Sequence, residues 1–269
     1  MRSAMMRTLV IAALCSAAVG AQDKLPSADA VLRELQSGND HHAAKRYQHP
    51  HQTAARQREL AATQNPHAIV LSCADSRVAP EIVLDQGLGD LFDVRVAGNV
   101  ASDAELASIE YAAAHLHTPL LVVMGHQKCG AVTAAAESGQ AEGHLPSLLA
   151  LIRPAVERAR AQPGDLIDNA VRINVENVVR QVRGSTPVLA ALVDRGALTV
   201  VGAVYSLDTG KVAWLPENHT RTLAWREAPR RPPQCAGGRR AEQVARQPAA
   251  GVIASRNLQS TTTDRGPAR

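Results

Sequence analysis

The chain has 269 residues, enough for one large domain or two small ones with a real hydrophobic core. Its formal net charge of +4 comes from its ends: residues 1–21 and 217–269 together hold 12 of the 29 Lys and Arg but only 4 of the 25 Asp and Glu, which leaves 17 basic and 21 acidic residues in 22–216. A mildly acidic body without a basic, aromatic-bearing stripe argues against nucleic-acid binding.

The first 21 residues have the features of a secretory signal peptide. Arg2 and Arg7 give a basic start, an apolar stretch follows over residues 8–19, and small residues precede a cleavage site after Ala21. The apolar stretch is shorter than the roughly twenty residues that a membrane-spanning helix needs. We therefore expect no membrane span in the mature protein and a periplasmic or secreted location.

A helix is predicted next, within residues 27–46, with Ser27 as its cap and Gly38 close to its end. It is expected to form an N-terminal arm that packs over the main domain. The histidines of this region are interpreted as a solvated helix face or loop, because no cysteine or acid accompanies them at regular spacing. They are His41, His42, His49 and His51.

Apolar runs then alternate with helical patterns along the body of the chain. This alternation predicts an α/β fold with a central, mainly parallel β-sheet flanked by helices. A turn around Asp208 and Gly210 predicts an additional antiparallel edge strand within residues 207–215. The predicted parallel strands are residues 68–72, 91–97, 119–125 and 198–205, and the predicted helices are residues 103–116, 130–137, 145–160 and 165–183.

The composition changes beyond Leu215, where Pro, Arg, Gly, Gln and Thr dominate and apolar periodicity is lost. Residues 217–269 are therefore predicted to be a disordered basic tail, since they lack the apolar surface to fold alone. The main domain is expected to span residues 22–216. The abrupt change fits either an unusual extension or a shifted reading frame, and the sequence leaves both open.

The first predicted strand ends in a thiol, an acid and a base with one residue between each: Cys73, Asp75 and Arg77. Open α/β sheets bind ligands at the carboxyl ends of their strands. If the chain stays extended past the strand, these three side chains point to the same side. A core cysteine followed by a surface ion pair is the plainer alternative, and this stretch alone leaves it open.

A second cluster, GHQKCGAV at residues 125–132, follows another predicted strand. His126 and Cys129 are three residues apart, so a turn can direct both side chains to one point. With Cys73 they supply two thiolates and one imidazole, the ligand set of a catalytic zinc with one open coordination position. We therefore predict one zinc ion per chain, and not a disulfide framework, for which the three cysteines left after signal cleavage are an odd number.

The pattern C-x-D-x-R followed by H-x-x-C-G resembles the β-class carbonic anhydrases, as do the stretches DQGLGDLF and VRVAGN within residues 85–99. The resemblance covers roughly residues 27–215. It implies that the two cysteines and the histidine bind zinc, while Asp75 and Arg77 form a dyad beside the metal. It also implies CO2 and bicarbonate as substrate and product, and a homodimer or a dimer of dimers.

The implied reaction is the reversible hydration of CO2 to bicarbonate and a proton. Zinc lowers the pKa of a bound water from 15.7 to about 7, and the resulting hydroxide attacks CO2. Asp75 is expected to accept a hydrogen bond from that water, while Arg77 keeps Asp75 ionised and away from the metal. The backbone N–H of Gly130 and the side chain of Gln86 are candidates to bind a substrate oxygen, although Gln86 has the alternative of capping a turn.

Two other functions fit the same residues. One is a hydrolase of a CO2 analogue, carbonyl sulfide or carbon disulfide, on the same fold and metal. The other is a non-catalytic thiol or metal-binding protein in which Cys73 and Cys129 form a disulfide on export. Asp75 and Arg77 argue against the second alternative, because neither is needed to hold a metal or to form a disulfide.

Overall fold

The computed structural model describes residues 26–137 and 141–216. The predicted signal peptide, residues 1–21, and the predicted tail, residues 217–269, lie outside the described residues. Within the described ranges, no helix combines the length and the apolar character that crossing a membrane requires.

The described residues contain a five-stranded sheet in the order β2-β1-β3-β4-β5. The first four strands run parallel, and β5 pairs antiparallel with β4 at one edge. This confirms the predicted mainly parallel sheet and its antiparallel edge strand. The strands are β1 (Ala68–Ser72), β2 (Leu91–Arg95), β3 (Leu120–His126), β4 (Thr199–Tyr205) and β5 (Val212–Trp214).

Helices flank the sheet as predicted, and three short ones have no counterpart in the sequence prediction. The short helices α2, α3 and α8 have seven residues or fewer, too few to show a full apolar stripe at helical spacing. The helices are α1 (Ala28–Ala43), α2 (Ala54–Leu60), α3 (Pro80–Val83), α4 (Asp103–His115), α5 (Gly130–Ala136), α6 (Leu145–Ala159), α7 (Leu166–Arg183) and α8 (Leu189–Asp194).

The hydrophobic core lies on both faces of the sheet. Alternate residues of β1 point to opposite faces: Ala68 and Val70 belong to one buried cluster, and Ile69 and Leu71 to another. Helices α1, α5 and α6 contribute to the first cluster, α4 and α8 contribute to the second, and α7 contributes to both. All five residues of β1 are buried, which explains why this strand reads as a continuous apolar run.

Gly38 lies buried within α1, which continues to Ala43. A Cβ atom at this position would lie 1.9 Å from the carbonyl oxygen of Leu84. The glycine therefore permits a close approach between α1 and the turn that follows α3. This tertiary contact outweighs the low helix propensity of glycine.

His42 is buried near the end of α1, so the prediction that it is solvated is wrong. Its Nε2 lies 2.9 Å from the hydroxyl oxygen of Tyr205, and its Nδ1 lies 3.1 Å from the hydroxyl oxygen of Tyr47. Burial lowers the pKa of His42, because the charged imidazolium loses its solvation. His42 thus joins α1 to the carboxyl end of β4.

The strand order creates a crevice beside β1. The chain passes from β1 to β2 on one side and then crosses from β2 to β3 on the other side of β1, so the direction of the connections reverses between β1 and β3. In open α/β sheets such a point, at the carboxyl ends of the strands, is where ligands bind. Cys73 follows β1 directly and His126 is the last residue of β3, so the fold brings both residues to this crevice.

Candidate metal centre

Three side chains with metal-binding atoms converge in the crevice. Cys73 comes from the end of β1, His126 from the end of β3, and Cys129 from the residue before α5. Their ligand atoms all lie within 4.8 Å of one another, and the two sulfur atoms are 4.0 Å apart. All three residues are buried. The turn that brings Cys129 back towards His126 passes through Lys128, which has a positive φ of 54°.

The imidazole of His126 presents Nε2 to the other two ligands. Its Nδ1 lies 2.8 Å from the carbonyl oxygen of Gln127. Because a carbonyl oxygen only accepts, Nδ1 donates in this contact, which leaves Nε2 as the lone-pair nitrogen of the neutral ring. Nε2 is buried and has no hydrogen-bond partner among the described residues. A buried acceptor without a partner, beside two sulfur atoms, is what a metal ligand requires.

The two cysteines are free, and either sulfur can donate a hydrogen bond to the other. Hydrogen bonding with Cys129 lowers the pKa of Cys73 to about 4, although burial acts in the opposite direction. His126 and the backbone N–H of Gly98 lower this pKa further, by smaller amounts. The same contact raises the pKa of Cys129. Two thiolates 4.0 Å apart repel each other, so a cation bound between them would allow both to ionise.

Asp75 lies at the rim of the cluster and is held by Arg77. The guanidinium donates through Nε to Oδ1 at 2.9 Å and through Nη2 to Oδ2 at 2.7 Å. The hydrogen bonds from Arg77 hold the pKa of Asp75 well below its usual range, although burial acts in the opposite direction. Oδ2 of Asp75 lies 3.8 Å from Nε2 of His126. The carboxylate therefore stays ionised next to the three metal-binding atoms.

Arg95 also contacts this loop, and the sequence analysis did not single it out. From the end of β2 its Nε and Nη2 donate to the carbonyl oxygen of Cys73 at 3.1 and 3.0 Å, and Nη2 also donates to the carbonyl oxygen of Asp75 at 2.7 Å. Arg95 lies in the neighbouring strand at the register position opposite Ser72. Strand pairing therefore brings Arg95 to this loop, and no local sequence motif indicates the contact.

The two candidate substrate-binding residues lie in different settings. Gly130 is exposed at the start of α5, and a Cβ atom there would meet no other heavy atom within 4 Å, so space is open beside it. Gln86 is buried, and its Nε2 donates to the carbonyl oxygens of Leu84 and Asp85 at 3.1 and 3.3 Å. These bonds fit the turn-capping alternative for Gln86. Its role in substrate binding stays a prediction, as does that of Gly130.

The donor set fits zinc. Thiolate and imidazole are the ligands that Zn²⁺ prefers, and three protein ligands leave a fourth tetrahedral position for water or substrate. An ionised carboxylate stands next to the cluster. The fold and the site are therefore those of a mainly parallel α/β protein with a candidate metal centre of the catalytic type.

Comparisons with known proteins identify the family to which this chain is similar. Residues 68–212 match the carbonic anhydrase family. Carbonic anhydrase 2 of Mycobacterium tuberculosis is 39% identical over 186 residues, which cover 68% of this chain and 90% of that protein. A tetrameric β-carbonic anhydrase of Sordaria macrospora matches with 26% identity and a TM-score of 0.55, over 70% of this chain and 97% of that one. The Coccomyxa β-carbonic anhydrase in complex with acetazolamide matches with 29% identity and a TM-score of 0.56, over 69% and 85%.

The chain belongs to the β-class carbonic anhydrase family. This confirms the resemblance inferred from its motifs and the prediction that the protein is a carbonic anhydrase. The region matched by the family contains the three predicted zinc ligands and the predicted dyad. The individual roles of these residues stay predictions.

Proposed function

We propose that this protein catalyses the reversible hydration of CO2 to bicarbonate and a proton, with one zinc ion per chain held by Cys73, His126 and Cys129. The observation that carries the proposal is the convergence of three buried metal-binding atoms within 4.8 Å of one another, with the carboxylate of Asp75 at the rim. Membership of the family supports the same reaction.

Asp75 acts on the water that becomes the nucleophile. Zinc, when bound, lowers the pKa of a coordinated water towards 7. Beside a bound zinc, the ionised carboxylate of Asp75 would accept a hydrogen bond from that water and would orient it towards the carbon of CO2. Two thiolate ligands donate more charge to zinc than histidines do, so orientation by Asp75 matters more here than at a site with three histidines.

Arg77 keeps Asp75 in this role. Its two parallel hydrogen bonds engage both oxygens and fix the plane of the carboxylate. Without Arg77, the carboxylate would be free to turn towards the metal and occupy the position that substrate and water need. The open space beside Gly130 leaves room for a substrate oxygen next to its backbone N–H.

Stopped-flow CO2 hydration by the purified mature protein tests the proposal, with the zinc content measured on the same sample. The wild type is expected to hydrate CO2 rapidly with about one zinc per chain. Asp75→Asn should lower kcat/KM by roughly 100-fold or more, because it removes the charge that orients the water, and should leave zinc bound. Asp194→Asn, at an exposed carboxylate that ends α8, is the matched control and should retain wild-type activity.

Three results would contradict parts of the proposal. Zinc without CO2 hydration, but with turnover of carbonyl sulfide or carbon disulfide, would favour the analogue hydrolase. A protein without zinc whose Cys73 is bridged to Cys129 would favour the non-catalytic alternative. Loss of zinc from Asp75→Asn would show that Asp75 has a structural role at the metal and not the assigned one.

We further propose that the enzyme is exported and oligomeric. The signal-peptide features of residues 1–21 support export, and amino-terminal sequencing of the protein from its native host should begin at Gln22. The Sordaria macrospora neighbour is described as tetrameric, which supports a homodimer or a dimer of dimers for this chain. Light scattering on the mature protein tests this assembly, and a monomer at micromolar concentration would contradict it.

A further inference from the structure

Helix α7 carries a buried amide on its apolar face. Asn174 is only 1% exposed and lies at helical spacing between Val171 and Val178, both of which are buried. A buried side-chain amide requires hydrogen-bond partners. Nδ2 of Asn174 donates to the carbonyl oxygen of Gly98 at 2.8 Å, across 76 positions of sequence.

Gly98 forms the centre of the turn Ala97–Asn99 between β2 and α4. Its φ of 71° and ψ of 16° lie in the left-handed region, and a Cβ atom there would lie 2.6 Å from Cδ1 of Ile152. The turn is closed by the N–H of Asn99, which donates to the carbonyl oxygen of Val96 at 3.0 Å. Only glycine meets both the backbone and the space requirement of this turn.

The turn directs one N–H at the metal centre. The backbone N–H of Gly98 donates to Sγ of Cys73, with the nitrogen 3.2 Å from the sulfur. A hydrogen bond to a thiolate draws electron density away from the sulfur, so the sulfur donates less charge to a bound metal. Partners of this kind, beyond the ligands themselves, tune the affinity and acidity of metal sites.

The position of α7 makes the contact of Asn174 with the turn possible. Gly125, the residue of β3 next to His126, lies against the helix, and a Cβ atom there would be 2.7 Å from Cγ2 of Val175. Helix α7 therefore packs closely against the strand that carries His126. Asn174 holds the turn from the helix side, while the Asn99 hydrogen bond closes it internally.

We propose that Asn174 is a positioning residue of the metal centre: it fixes the carbonyl group of Gly98, and because one Cα joins that carbonyl to the Gly98 N–H, it keeps this N–H on the sulfur of Cys73 and reduces the charge that this thiolate donates to the metal. The inference rests on the proposed zinc site. It concerns the electronic state of one ligand, and it assigns no step of the reaction to Asn174.

Cobalt substitution of the full-length mature protein tests this role, because the sulfur-to-cobalt charge-transfer band reports the electron density on the thiolates. Asn174→Leu and Asn174→Ala both remove the amide, and Ala adds no bulk if Leu prevents folding. Each folded variant should show the band at longer wavelength than the wild type. The zinc affinity, measured by competition with a chelator, should fall by roughly tenfold, because Cys73 loses the partner that positions its sulfur, and this loss outweighs the stronger charge donation.

Asn177→Leu is the matched control on the same helix. Its amide oxygen accepts from Nη1 of Arg158 at 2.7 Å and from Nη2 of Arg180, and among the described residues its side chain has no hydrogen bond to the turn. This variant should keep the wild-type band and zinc affinity.

The outcomes separate this inference from the proposed function. A wild type that binds neither cobalt nor zinc overturns the proposed metal centre, and this inference with it. A wild type that binds both metals, with the same band in the Asn174 variants, overturns the inference alone. A fall in zinc affinity without a band shift, or an equal shift in Asn177→Leu, also overturns it, because the role of Asn174 is then packing.

Discussion

The interaction between Arg77 and Asp75 owes its strength to hydrogen-bond geometry more than to burial. The Arg77 side chain is 52% exposed and that of Asp75 is 17% exposed, a setting in which a simple ion pair contributes little. The guanidinium, however, matches the two carboxylate oxygens with two parallel hydrogen bonds, and the backbone N–H of Arg77 adds a third at 3.0 Å. These bonds cause the low pKa of Asp75.

Arg77→Gln should therefore reduce CO2 hydration without removing zinc. Asp75 stays ionised at pH 7 in the variant, because even an ordinary aspartate titrates near 4. The expected loss in kcat/KM is roughly tenfold and reflects lost orientation of the carboxylate, not lost charge. Stopped-flow hydration at pH 7 with zinc analysis checks this, and Arg33→Gln, on the exposed side of α1, is the control.

The acid stability of the same variant follows from the sign of the pKa shift. A carboxylate whose pKa is depressed in the folded state stabilises the protein above its unfolded pKa of about 4, and this contribution is lost as the pH falls through the folded value. The difference in the free energy of unfolding between wild type and Arg77→Gln should thus be largest at neutral pH and shrink below about pH 4. A difference that is constant from pH 7 to pH 3 would contradict this account.

The sequence revealed the residues of the site that lie close together along the chain. Cys73, Asp75 and Arg77 alternate after one strand, and His126 and Cys129 share one turn, so their spacing already carries the chemistry. Arg95 and Asn174 were missed because strand pairing and helix packing bring them to the site from distant positions. The sequence nevertheless contained one indication of Asn174, because it is a polar residue on the apolar stripe of α7.

At the scale of elements, the buried strands and long helices were predictable and the path of α1 was not. Continuous apolar runs mark β1 and β3 because both faces of the sheet are covered. The sequence places Gly38 close to the end of the helix, where glycine is common, and gives no other reason for a glycine there. The carbonyl oxygen of Leu84, which explains the glycine, lies 46 residues further along the chain and is invisible to a local pattern.

Gly38→Ala should destabilise the protein even though alanine is the better helix former. The new methyl group would lie 1.9 Å from the Leu84 carbonyl oxygen, so α1 or the turn after α3 must move. Such overpacking typically costs about 1–3 kcal/mol, more than the roughly 1 kcal/mol that helix propensity returns. Urea denaturation of the zinc-loaded protein measures the change.

Ser37→Ala is the neighbouring control for this substitution. Ser37 is exposed on α1, so the change improves helix propensity without a new contact and should leave the free energy of unfolding equal or slightly higher. If Gly38→Ala is as stable as Ser37→Ala, the close approach between α1 and Leu84 does not constrain the fold.

At the scale of the whole molecule, charge and apolar periodicity separate the body of the chain from its ends. The body, residues 22–216, carries the net negative charge, whereas residues 217–269 hold 10 basic and 4 acidic residues. The sheet reaches its last strand at Trp214, and every described element lies within the body. The assignment of residues 217–269 as a disordered tail stays a prediction from composition.

A protein of residues 22–216 should accordingly fold and function like the mature chain of residues 22–269. The apolar surface buried on folding belongs to the elements from α1 to β5, and the urea m-value scales with the surface that unfolding exposes. Both forms should therefore share one m-value, and their free energies of unfolding should agree within about 0.5 kcal/mol. CO2 hydration per zinc should also be the same.

The comparison is best made near 0.15 M salt, where the basic residues of the longer form are screened beyond about 8 Å. A lower m-value for residues 22–216 would mean that part of the tail packs on the body and adds buried surface. A lower free energy of unfolding for residues 22–216 than for residues 22–269, at the same m-value, would mean that the tail makes a specific contact with the body. Either result would contradict the domain boundary at residue 216, because a segment that only trails from β5 changes neither quantity.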